Sequence, residues 1–223
     1  RPAHRHLTKD GPPNVKNLKL RADDVAIPTT FDEALDSPDS KFWLYAMDIH
    51  VSTQMSDQIY ELKEVPASAK TLKGGWKFSV KRDSDGYVVS FKARFYAKGW
   101  SQREGIDYAE NEAYSPTAAY VTVKSVVALA ALEQLNLRTI DVTNAYSQAT
   151  LETKTGSETW LTQIPGYELI DASGNRLMGP SGRPLACLLK RSLNGLKISG
   201  QCWNTQLVES LKDDGLDLIL HLH

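Results

Sequence analysis

Residues 76–81, Trp-Lys-Phe-Ser-Val-Lys, alternate apolar and polar with period two; Asp83-Ser84-Asp85-Gly86 then supplies turn chemistry before a second extended run over 87–97. This is a β-hairpin signature, because Asp and Gly accept the backbone angles of a tight reversal while strand alternation puts every second side chain on one face. Trp76, Phe78 and Val80 share the face that has to be buried. Lys77, Lys81, Lys92, Arg94 and Lys98 are left to the wet side or the hairpin edge, where long cationic stems reach phosphate without burying charge. Such a ribbon suits a nucleoside triphosphate or a template strand. A solvated hairpin with no ligand fits the same pattern.

Charge is distributed to the same effect. The whole chain of 223 residues carries a net charge of only -1, yet residues 73–103 hold eight Lys or Arg against two Asp, while the remainder holds 18 basic against 25 acidic residues. One positive lobe in an acidic protein is a candidate anion-binding surface. A 41% apolar composition is ordinary for a globular chain able to bury a core. Cys187 and Cys202 are too few for a disulfide framework and read as reduced thiols. No run approaches eighteen apolar residues, which speaks against a membrane span, and no apolar signal core stands at the N-terminus.

Residues 1–27 read as a linker or disordered tail, rich in Pro, Lys, His and Asn. Thr30 with Glu33 resembles a capping box for a short helix, and Phe42, Ala46, Ile49 and Thr53 recur at helical spacing beside Trp43 and Met47 in a second helix over 39–55. Residues 58–65 read as extended. After an irregular stretch over 99–116, Val123, Val127, Ala130 and Ala131 give a broad apolar helical face in a run to Leu135. Residues 137–142 are expected to form a strand whose end presents Asp141, with the ring of Tyr146 five positions on. Residues 159–164 and 185–189 are further short extended candidates, and residues 168–184 a loop or loose hairpin. A last helix starts near Ser199, with Trp203, Leu207 and Leu211 on its core face and Gly215 placed to end it. Residues 216–222 read as the start of another strand.

Several segments together carry a family resemblance. Trp76-Lys77-Phe78, Phe91-Lys92-Ala93-Arg94-Phe95-Tyr96-Ala97-Lys98-Gly99, Gly105-Ile106-Asp107-Tyr108 and Tyr114-Ser115-Pro116 resemble the fingers of the reverse transcriptase of Ty1/copia-type retrotransposons. Asp141-Val142 with Ala145-Tyr146 is similar to the first catalytic motif of that family's palm. Leu189-Lys190-Arg191-Ser192-Leu193 and Gly195-Leu196-Lys197 before Trp203 are similar to its segment joining fingers and palm. The matches fall in the family's order over residues 28–220.

The resemblance implies an α+β fold, the fingers and incomplete palm of a right-hand polymerase, with antiparallel sheet elements packed with helices. Residues 28–136 would be mainly fingers with the basic hairpin at 76–98, and residues 137–223 a partial palm with the joining segment at 185–200. The activity implied is RNA-directed DNA polymerisation by nucleotidyl transfer with two Mg²⁺ ions, Mn²⁺ being a substitute. Asp141 would be the catalytic carboxylate and metal ligand. Lys81, Arg94, the Val142 backbone and Tyr146 would meet the nucleotide, Val142 packing its side chain in the core and Tyr146 excluding a 2′-hydroxyl; plain packing is the other role open to Tyr146. Lys77, Arg82, Lys92, Lys98, Gly195 and Lys197 would meet template or, for the cations, solvent.

The implied partners are an RNA or DNA template with its primer, deoxynucleoside triphosphates, and a polyprotein with integrase upstream and the remaining palm plus RNase H downstream. The implied location is a cytoplasmic virus-like particle or the nucleus, with no membrane association. The pattern also departs from the family. The adjacent aspartates that complete its metal site are not found in a strand hairpin: Asp213-Asp214 closes a helix, where the dipole disfavours anions. Asn194 replaces a usual tyrosine, Gly200 a proline, and Ser147 and Gln148 an apolar residue and an asparagine. The expectation is a fragment inactive by itself, with a domesticated nucleic-acid-binding module or a protein-interaction module as alternatives. No zinc-ligand spacing, phosphate-binding glycine loop or serine elbow appears in the sequence.

Overall fold

The computed structural model describes residues 3–4, 13 and 19–215. Its elements in chain order are β1 (Ala3–His4), α1 (Phe31–Asp36), α2 (Ser40–Ser56), β2 (Tyr60–Glu64), β3 (Thr71–Leu72), β4 (Gly74–Arg82), β5 (Val88–Ala97), α3 (Tyr120–Leu132), α4 (Ala145–Gln148), β6 (Trp160–Leu161), β7 (Leu169–Ile170), β8 (Leu185–Leu189) and α5 (Ser199–Asp213). The class is mixed α/β.

The hairpin forms as the alternation dictates. β4 and β5 run antiparallel from Gly74 opposite Ala97 to Lys81 opposite Ser90, and a register shift follows between Lys81 and Arg82. Trp76, Phe78, Phe91, Ala93, Phe95 and Ala97 are all buried. The helix α2 packs on this face: Phe42 stacks on Phe91 at 4.9 Å, and the Trp43 ring meets Phe91 and Phe78 edge-on at 4.6 and 5.3 Å. Aromatic pairs of this geometry contribute about 0.5–1.5 kcal/mol each beyond their area. The buried stripe of α2 runs through Phe42, Trp43, Ala46, Met47, Val51 and Gln54, and Ile49, expected on it, is 51% exposed.

Thr30 caps α1 as expected, its hydroxyl accepting the Glu33 amide at 3.2 Å, while the Glu33 carboxylate accepts the Thr29 amide and hydroxyl. Order begins ahead of the expected boundary at Pro28. The Leu20 carbonyl accepts the Val88 amide at 2.8 Å, Ala22 donates to the Gly86 carbonyl at 2.9 Å, and Val25 is buried. The stretch after Lys19 is therefore bonded to the hairpin tip.

The second sheet has the order β2-β8-β6-β3. β8 is flanked on both edges and buried over Ala186–Leu189, which accounts for its uninterrupted apolar run. β2 and β6 pair with it antiparallel, as expected of the sheet elements, and β3 pairs with β6 in parallel, so this sheet is mixed. Two strands so distant in the chain have a connection long enough for a crossover, which parallel pairing requires.

Two expectations fail after α3, the strand over 137–142 and the core position of the Val142 side chain. The helix is present, but Val123, Val126, Val127 and Leu129 are 48–55% exposed and Ala130 is its one buried residue. Residues 137–142 form no strand, with Leu137 55% and Ile140 86% exposed. A strand needs a ladder partner for its backbone groups, and among the described residues none lies beside this segment. Val142 is 38% exposed, so its side chain is not in the core. The last helix ends at Gly215, whose φ of +76° suits glycine and whose amide donates to the Lys212 carbonyl at 2.9 Å. The expected strand over 216–222 lies outside the described residues.

Candidate nucleotide and nucleic-acid interface

Pairing register decides which cations share the outer hairpin face. Lys77 stands directly opposite Arg94, Ser79 opposite Lys92, Lys81 opposite Ser90 and Gly75 opposite Tyr96. Like charges set across from each other destabilise a sheet unless an anion lies between them. Burial holds the Lys92 ammonium below its ordinary range, and the neighbouring Lys81 and Arg94 charges lower it further. Among the described residues, no ion pair engages Lys77, Lys81, Lys92, Arg94 or Lys98; Arg82 is turned to the hairpin tip, 3.7 Å from Asp23.

Across from this face stands the start of α4. Asn144 takes a left-handed conformation, φ 52° and ψ 41°, that reverses the chain into the short helix carrying Tyr146. Lys77, Arg94, Tyr96, Asn144, Ala145, Tyr146 and Asn194 line one cleft of about 380 Å³, a volume within the usual range for small-molecule sites. Asn194 is held by the hairpin's base: its carbonyl accepts the Ala97 amide at 2.8 Å. Next along, the Gly195 carbonyl accepts the Gly99 amide at 3.1 Å, and the Lys197 amide donates to Gln102 Oε1 at 2.9 Å. The side chain of Gln102 is buried, so the turn over 194–197 is fixed to the hairpin from below.

Of the residues expected in a site, the cleft brings together Lys77, Arg94 and Tyr146. Lys81 and Lys92 continue its cationic face, and Gly195 and the exposed Lys197 lie in the turn below. Asp141 and Val142 are outside the lining, on the exposed stretch just before Asn144. Tyr96, Asn144 and Asn194 were not anticipated. Tyr96 was readable, since it has the same strand parity as Lys92 and Arg94; nothing local marks the two asparagines. Gly200, where the family usually has proline, stands so close to Ser115 that a Cβ would come within 2.9 Å of that side chain.

A two-magnesium site requires several carboxylate oxygens converging on hard cations. Among the described residues, no group of three or more His, Cys, Asp or Glu can hold a metal ion. Asp213 and Asp214 sit at the end of α5, outside any strand hairpin. The described donor set therefore does not fit a two-metal centre.

Over residues 57–221 this mixed α/β chain with its cationic hairpin matches the family described as reverse transcriptase (RNA-dependent DNA polymerase). The chain belongs to that family. It is 28% identical over 206 residues to the retrovirus-related Pol polyprotein from transposon TNT 1-94 of Nicotiana tabacum, covering 90% of this chain and 14% of that protein. It is 33% identical over 167 residues to the Pol polyprotein from transposon RE1 of Arabidopsis thaliana, and 32% identical over the same length to that from transposon RE2, covering 74% of this chain and 10% of each. The copia-type resemblance is thereby borne out, and the chain spans a small part of these relatives' length. No solved structure matches it.

Proposed function

We propose that this chain grips the triphosphate of an incoming deoxynucleotide, and the template beside it, in RNA-directed DNA synthesis. One observation carries the reading: Lys77 and Arg94, cross-strand neighbours outside every ion pair among the described residues, line the same cleft as Tyr146. Arg94 offers phosphate oxygens a planar fork of donors, and Lys77 offers a point charge. Lys81 and Lys92 extend that field along the ribbon. Tyr146, which lines the same cleft, would pack against the sugar and leave no room for a 2′-hydroxyl. In this reading β4 and β5 belong to polymerase fingers, the segment around Asp141 to the palm, and the turn carrying Gly195 and Lys197 contacts the template.

Asp141 is the carboxylate this chain would offer to a magnesium or manganese centre. The other donors are not among the described residues, so no chemical step is assigned to them. A second reading is a module that binds nucleic acid without catalysis. Equilibrium binding of dTTP tests the cleft: Lys77→Ala and Arg94→Ala should each weaken it about tenfold, the scale of one charge-assisted hydrogen bond. Affinity unchanged in both variants would remove the proposal. Mg²⁺-dependent primer extension, lost in Asp141→Ala, separates the two readings.

A further inference from the structure

The helix α4 has four residues, too few to hold itself by its own hydrogen bonds. Within it the Ser147 amide donates to the Asn144 carbonyl at 2.9 Å and the Ala149 amide to the Tyr146 carbonyl at 3.2 Å. Its start is a left-handed Asn144, and no side chain caps it there. Carbonyls at a helix end have no partner inside the helix. Here they find one in the segment after β8: the Arg191 guanidinium donates to the Gln148 carbonyl at 3.0 Å, and the Ser192 amide donates to the Ala149 carbonyl at 2.8 Å. The Leu151 amide adds a third link, to the Lys190 carbonyl at 3.0 Å.

The support is itself fixed from below. The amides of Lys190 and Arg191 both donate to the carbonyl of the buried Ile59, at 2.8 and 3.1 Å, just ahead of β2. Ser192 is fully buried; its hydroxyl donates to Ser199 Oγ at 2.8 Å, and that hydroxyl donates in turn to the Leu193 carbonyl. Lys190 has Glu61 at 3.8 Å, whereas Arg191 enters no ion pair among the described residues, so its guanidinium is left to the Gln148 carbonyl. Two residues beyond Ser192, Asn194 lines the cleft and holds Ala97 of β5. One short strap therefore ties the helix bearing Tyr146 to the sheet and to the base of the hairpin.

We infer that Arg191 is a positioning residue for Tyr146: by holding the end of α4 it fixes where that ring stands in the cleft, and so how strongly the site prefers deoxyribose to ribose. This rests on the reading of Tyr146 given above and makes it depend on a residue outside the cleft lining. Tyr146 and Gln148 belong to one helical turn, so a shift of the Gln148 carbonyl is passed directly to the ring. A charge-assisted hydrogen bond from a planar fork of donors restrains both distance and direction. Discrimination by a steric block depends on the block staying within about 1 Å of its place. Without Arg191 the tyrosine is chemically intact but its helix is held by main-chain bonds alone.

Competition binding of UTP against dTTP by the 223-residue chain provides the test, with hydrogen exchange as a second readout that needs no nucleotide. Arg191→Ala should move the ratio toward UTP about threefold, a part of the shift that Tyr146→Ala gives, and Arg191→Lys should restore most of the parent ratio. Added to Tyr146→Ala, Arg191→Ala should change the ratio no further, because the ring it positions is gone. In the free protein, Arg191→Ala should speed exchange of the Ser147 and Ala149 amides while the β4–β5 ladder stays protected. Circular dichroism checks folding, and Arg191→Met, which keeps the stem and drops the donors, carries the same expectations if the alanine variant does not fold. Unchanged exchange at both amides, an additive double variant, or an Arg191→Ala variant that weakens both nucleotides alike would overturn the proposal while leaving Tyr146 in its role. A ratio unmoved by Tyr146→Ala would overturn this proposal together with the reading beneath it.

Discussion

Gly99 and Gly195 meet backbone to backbone. The Gly99 amide donates to the Gly195 carbonyl at 3.1 Å, a Cβ on Gly99 would overlap that same carbonyl, and one on Gly195 would overlap the carbonyl of Ala97. Gly195 also holds φ at +91°, outside the comfortable range of any residue with a side chain. The contact fastens the turn bearing Asn194 to the base of the basic hairpin, and so sets the width of the cleft. Gly195→Ala should therefore cost roughly 2–4 kcal/mol, combining left-handed strain with overlap, and Gly99→Ala roughly 1–3 kcal/mol from overlap alone. Urea unfolding of each variant and of the pair measures this; the double variant should fall short of the sum, because both substitutions open one contact.

The outer face of the hairpin sets like charges against each other. Lys77 faces Arg94 across the ladder, and among the described residues no carboxylate pairs with either. Replacing Lys77 by Gln removes a like-charge pair, so the free protein should melt at a higher temperature in low salt, with the gain fading as salt screens the repulsion. The same variant should bind polyanions more weakly. A lower melting temperature would show that Lys77 has a favourable partner in the folded chain.

Tyr146 is 37% exposed and lines the same cleft as the cations. In the proposed nucleotide pose it blocks the 2′ position. Tyr146→Ala should raise the affinity for UTP relative to dTTP about tenfold, the scale of one removed steric block, with little change in unfolding midpoint. Competition binding with the two nucleotides measures the ratio, and an unchanged ratio assigns the ring to packing.

His50 gives the fold a pH dependence. Its ring is packed beside Trp76 at 5.9 Å, contacts the Gln54 amide at 3.1 Å and hydrogen-bonds the Phe95 main chain. Burial lowers its pKa from 6.5 to about 4, and the nearby Arg94 charge adds to the effect. The unfolded chain therefore takes up the proton first as pH falls, and stability present above pH 6.5 is lost progressively toward pH 4. The loss from pH 7 to pH 5 should be about 1–2 kcal/mol, allowing for partial exposure. Unfolding midpoints of the parent and His50→Gln at both pH values isolate this contribution from the carboxylates.

Local patterns located most elements, and the failures share a cause. Trp76 to Val80 and Phe91 to Ala97 specify a hairpin through alternation alone, and Thr30, Gly215 and the apolar run of β8 mark their elements by capping, left-handed backbone and burial on both faces. Residues 137–142 read as a strand, yet pairing is a property of two segments, and no partner in the described residues meets this one. The apolar face of α3 was legible, but not that it would stand uncovered. In the cleft, charge and parity revealed Lys77 and Arg94. Asn144 and Asn194 enter it only through a left-handed turn and a docked loop, which depend on contacts across distant parts of the chain.

The most direct test is the affinity of the 223-residue chain for a labelled primer-template, measured by fluorescence anisotropy across a range of salt concentrations. The account predicts binding at low salt, a linear fall of log affinity with log salt, and a shallower slope in Lys77→Ala and Arg94→Ala. No binding at low salt, or an affinity and slope that both substitutions leave untouched, would contradict it.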